Sequence, residues 1–147
     1  MFADLLRSLL APEPHRLNDP DARLALAALL VRIARVDGEY SDVEITRIDR
    51  ILSRRYGLSP FDAIELRHRA EELEAQAPDT VRFTRAIKDA VDYDHREGVI
   101  EALWEVVLAD GTRDTEEDSL LRLLANLLGV NDRDSNLARQ RVESRQK

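Results

Sequence analysis

Two stretches of this sequence repeat each other at a fixed distance, and that duplication constrains the fold more than any single motif. Arg35-Val36-Asp37-Gly38-Glu39-Tyr40-Ser41-Asp42-Val43-Glu44 is matched by Leu108-Ala109-Asp110-Gly111-Thr112-Arg113-Asp114-Thr115-Glu116-Glu117. Asp37 and Asp110 lie 73 positions apart, and so do Glu44 and Glu117. Each stretch follows an almost wholly apolar segment and precedes an amphipathic one with helical spacing. The Gly supplies the left-handed position that commonly ends a helix. Ser41 with Glu44, and Asp114 with Glu117, then have the spacing of a capping box that starts the next one. Each unit therefore reads as a buried helix, a stop, a cap and a second helix, over about 21–57 and 94–129. Two such hairpins can pack face to face about a pseudo-twofold axis, as other antiparallel helix pairs do.

The rest of the chain extends the same reading. Phe2, Leu5, Leu6, Leu9 and Leu10 recur at helical spacing before Pro12 and Pro14 end the run. This first helix is expected to pack on the body; peripheral membrane contact by residues 2–10 is its other use. Ser59-Pro60 opens a helix running to about Ala77, with Phe61, Ile64, Leu66 and Leu73 as its apolar set. Its charged surface includes Arg67, Arg69, Glu71, Glu72 and Glu74. A further helix begins near Asp79, with Phe83, Ile87 and Val91 inward, and a last one at Asn131 or Asp132. No strand pattern and no linker interrupts the chain. The expected fold is all-α: one domain over 1–147, a seven- or eight-helix bundle built from two pseudo-twofold-related helical hairpins. Trp104 is expected to lie buried between the two units.

Composition removes several classes of function. The net charge of −7 disfavours general binding to phosphate backbones, so no nucleic-acid partner is expected. There is no Cys, hence no thiol chemistry and no need of an oxidising compartment. The longest apolar run, Leu24 to Val31, is far below the ~20 residues that span a bilayer. An acid, Asp4, stands where a signal peptide carries basic residues, which points to the cytoplasm.

An apolar helix ending in Ala/Val-Asp-Gly, with Glu seven residues after the Asp, occurs twice here. In this the chain resembles the TerB-like tellurite-resistance family, most closely at Leu103-Trp104-Glu105-Val106-Val107-Leu108-Ala109-Asp110-Gly111. The resemblance spans roughly Asp21 to Val130. Val36 departs from the more typical Ala found at 109. The resemblance implies a helical domain linked to tellurite and other stresses, colicins and phage. The family is related to the N-terminal part of a membrane-associated DnaJ-type co-chaperone. It also implies acidic loop residues suspected of holding a divalent cation, here Asp37, Glu44, Asp110 and Glu117.

The residues themselves bear on that suspicion unequally. Glu44 and Glu117 are explained by capping and by the helix dipole, which favours acids in a first turn. Asp37 and Asp110 oppose the dipole at a helix C-terminus and are the sharper functional hint. All-carboxylate ligands suit Ca²⁺ or Mg²⁺. Asp132, Asp134, Asn136 and Glu143 mimic positions of a calcium loop, but Leu137 stands where its sharp turn needs Gly. His15, His68 and His95 form no zinc spacing, and His95 reads as a first-turn surface residue. The expected function is a non-catalytic, stress-associated module presenting an acidic surface to a protein partner. The alternative is a metal-dependent hydrolase using the same carboxylates.

Overall fold

A computed structural model describes residues 19–36, 38, 40–76, 81, 84, 85, 87, 88, 93–109 and 115–145. Among them are six helices and no strand: α1 Asp19–Arg35, α2 Asp42–Tyr56, α3 Pro60–Gln76, α4 Tyr93–Val107, α5 Thr115–Leu127 and α6 Asp132–Arg145. The described residues between 81 and 88 are helical as well, where the sequence places a helix from about Asp79. The expected first helix over 2–10 lies outside the described residues.

Local signals set the ends of these helices. Ser41 Oγ accepts from the Glu44 N–H at 3.2 Å, and Glu44 Oε1 accepts from the Ser41 N–H at 3.3 Å, so the expected capping box opens α2. The side-chain oxygens of Ser59 and Asn131 cap α3 and α6 by accepting from the Asp62 N–H at 3.1 Å and the Asp134 N–H at 2.8 Å. Gly57 and Gly129 end α2 and α5 at φ of 66° and 78°. Behind each glycine the next N–H reaches five residues back, Leu58 to Ser53 O at 3.0 Å and Val130 to Ala125 O at 2.8 Å. A side chain at either glycine would force a left-handed conformation that L-residues resist.

α1 and α4 are the central helices. From Leu24 to Ala34 every residue of α1 except Arg32 is buried, and α4 buries Val99, Ile100, Leu103, Trp104, Val106 and Val107. A helix apolar on all sides is stable only when other helices surround it. α1 packs most extensively on α3 and also touches α2, α4 and α5; α4 packs most extensively on α6 and touches α2 and α5. Trp104 is buried: its indole N–H donates to Ser135 Oγ of α6 at 3.2 Å, and the Arg139 guanidinium lies 5.9 Å from the centre of its ring. The indole nitrogen needs an acceptor, and α6 supplies one.

The largest departure from the sequence reading is α3. Its inward face is Ala63, Arg67, Ala70 and Leu73, whereas Phe61 is 75% exposed and Ile64 is also exposed. Small residues let α3 lie close to α1, and Arg67 is drawn inward by carboxylates on two helices.

Candidate functional site

Glu44, which closes the capping box of α2, and Glu117 are both buried. Glu44 keeps 3% of its surface exposed and Glu117 4%, each in the first turn of the helix that follows an Asp-Gly loop. A capping-box glutamate reaches back along the helix surface, so burial to this degree goes beyond what capping requires. Glu44 Oε1 also takes the Ser41 hydroxyl at 3.1 Å. Asp37 and Asp110 lie outside the described residues, as does the side chain of His95. Among the described residues no group of three or more acidic, His or Cys side chains could hold a metal ion.

The first loop is fastened to α3 by side chains that periodicity did not reveal. Tyr40, just ahead of the Ser41 cap, donates its hydroxyl to Glu71 Oε2 at 2.5 Å. The Arg35 guanidinium lies 4.9 Å from the centre of the Tyr40 ring. Glu71 also accepts from Arg67 at 3.1 Å, and Arg67 reaches Asp49 of α2 at 2.5 Å. Burial first, then the Glu71 carboxylate, push the Tyr40 phenol well above its ordinary value. Burial alone would lower the Arg67 guanidinium, but Asp49 and Glu71 outweigh it and hold it above its ordinary value. A turn further along α3, Glu74 takes both Arg32 at 3.2 Å and Arg35 at 2.9 Å. The i,i+4 spacing of Arg67 and Glu71 was the one signal in the sequence that could have marked this cluster.

The other half has its own buried acid. Glu105 on α4 accepts from Arg54 of α2 at 2.6 and 2.8 Å and from Arg145 of α6 at 3.2 Å, so it ties α4 to both. Glu101, one turn earlier, takes Arg145 at 3.1 Å and Arg141 at 3.5 Å. Beside Trp104 a small pocket of about 120 Å³ opens between α5 and α6, lined by Asp118, Leu121, Arg122, Asp132, Ser135 and Asn136. On the outside of α3, Phe61 and Ile64 stand next to exposed Asp62 and Glu65, giving an apolar spot with an acidic margin. Among the described residues no helix is long and apolar enough to cross a membrane.

A family model described as "Tellurite resistance protein TerB" matches residues 23–140. No curated protein and no solved structure matches the chain.

Proposed function

Because the chain belongs to the TerB tellurite-resistance family, we propose that it works as a non-catalytic, stress-associated protein-interaction module of the cytoplasm. Its two Asp-Gly loops hold a divalent cation, Ca²⁺ or Mg²⁺, through Asp37 with Glu44 and Asp110 with Glu117. The partner is a protein that meets the acidic, helix-built surface, with Phe61 as the apolar anchor. In this reading the helical hairpins over about 21–57 and 94–129 are pseudo-twofold copies, which gives one loop per hairpin.

The observation that carries the reading is the burial of Glu44 and Glu117 at matched places. Carboxylates are the ligands that Ca²⁺ and Mg²⁺ take, and the sequence sets one such acid seven residues after each Asp of the two Asp-Gly stretches. Phe61 supports the partner half of the proposal, since a large aromatic left in solvent beside acids is a typical anchor at interfaces.

Thermal melts test the cation. A ligand that binds only the native state stabilises it by about 2.7 kcal/mol at a hundredfold excess over Kd. Ca²⁺ or Mg²⁺ is expected to raise the Tm of the natural chain above its value in chelator, and to do little for the Asp37→Asn, Asp110→Asn double variant. Identical melts of the natural chain in chelator, Ca²⁺ and Mg²⁺ would end the cation proposal.

A further inference from the structure

We infer that the Phe61 face of α3 docks a second copy of this chain, each Phe61 entering a groove beside the other copy's α3. This rests on the reading of Phe61 as an interface anchor and names the protein that the anchor meets.

The anchor and a place for it lie on one surface. Phe61 is 75% exposed, and Ile64, one turn on, is exposed as well. Beside them, between the start of α1 and the outer side of α3, runs a groove of about 260 Å³ lined by Arg23, Leu58, Asp62, Glu65, Leu66 and Arg69. Leu58 and Leu66 pack half-buried against the core and give the groove its apolar part. A cavity of roughly 150 Å³ already holds a benzene ring, so the groove has room for a phenyl side chain. The chain's own Phe61 stands out in solvent and does not fill it. An apolar knob and an apolar-lined groove side by side on one surface suit an isologous dimer. A twofold axis between them lets both phenyl rings be buried at once.

Charge selects the occupant. The chain carries −7 overall, yet the groove sets two bases, Arg23 and Arg69, against two acids, Asp62 and Glu65. Asp62, Glu65 and Arg69 are exposed. A uniformly basic partner would be repelled by the two arginines, and a uniformly acidic one by the two carboxylates. A partner with both signs around an apolar centre satisfies all four, and this same surface on a second copy has that composition.

Sedimentation equilibrium of the full chain tests the inference. One anchor per copy makes an interface at the weak, transient end, so concentrations from ~10 μM to ~1 mM are used. The natural chain is expected to dimerise reversibly in that range. Phe61→Ser should raise the dimer Kd about tenfold or more, the loss of an anchor residue. Charge is tested by mixing. The variant Asp62→Arg, Glu65→Arg carries only bases around the groove, and Arg69→Glu leaves three acids against Arg23. Each should self-associate less than the natural chain, and an equimolar mixture of the two should associate more than either alone. A natural chain that stays monomeric to ~1 mM overturns the second copy as partner and leaves Phe61 as an anchor for another protein. A dimer unchanged by Phe61→Ser overturns the inference and the anchor reading together. A mixture that associates no better than its components overturns the charge pairing and with it the choice of a second copy. Should the doubly substituted variant prove unfolded by circular dichroism, Glu65→Arg alone replaces it in the mixture, with the same outcomes.

Discussion

α3 and α6 are docked on their central helices with opposite polarity. α1 presents Arg32 and Arg35 to Glu74 of α3, whereas α4 presents Glu101 and Glu105 to Arg141 and Arg145 of α6. Arg32 and Glu105 are themselves 73 positions apart, the spacing that separates Asp37 from Asp110. α3 and α6 thus meet their central helices with inverted charges. A helix needs complementary charges along a close contact, and which side carries which sign is free. The core follows the same logic: Val31 and Trp104 occupy matching positions, both buried, and only the second needs Ser135 for a polar atom.

The largest test of this comparison is in the core. Trp104→Ala should cost about 3–5 kcal/mol, and Val31→Ala about 2 kcal/mol, measured by urea unfolding. Equal losses would mean that α6 is not anchored through the indole. Next comes polarity. Glu74→Gln leaves two arginines, Arg32 and Arg35, without the carboxylate that joins them, and should cost about 2 kcal/mol. The same change at Glu101 should cost less, because Arg141 and Arg145 are about half exposed and water takes over. A larger loss at Glu101 would reverse the ranking of the two interfaces.

The smallest effect separates the loops. The Tyr40 phenol titrates higher in the folded chain than in the unfolded one, where it loses its proton near pH ~10. Above that pH the unfolded state binds fewer protons than the native state, so stability falls as pH rises. Tyr56, raised by burial, adds to the same slope. Tyr40→Phe should cost about 1 kcal/mol at neutral pH and flatten the decline above pH ~10. An unchanged alkaline slope would show that Tyr40 does not stay protonated on Glu71.

Features decided within a few residues were legible in the sequence. Ser41 with Glu44, Asn131, Gly57 and Gly129 act where their local spacing placed them. The all-helical class and the two central helices followed from apolar periodicity. α3 was misread because size misleads: Phe61 and Ile64 dominate its apolar set, yet Ala63 and Ala70 permit the closer contact with α1. Arg67 was read as surface because its partner Asp49 is 18 residues away on another helix, beyond any periodic signal. At the candidate site, Glu44 was legible as a cap. The burial of Glu44 and Glu117 was not, since it depends on what the rest of the bundle lays over them. The Tyr40–Glu71 contact spans 31 positions and was equally invisible.

The inverted charges of the two halves also bear on how such a chain sorts itself. The mispairing at issue is an exchange of α3 and α6 between α1 and α4. Here the wrong choice sets acid on acid, Glu74 against Glu101 and Glu105, or base on base, Arg141 and Arg145 against Arg32 and Arg35. Like charges brought together across a contact are disfavoured, so each helix carries its own address. The sign of a few side chains thereby disfavours that exchange, separately from what those ion pairs add to the finished structure.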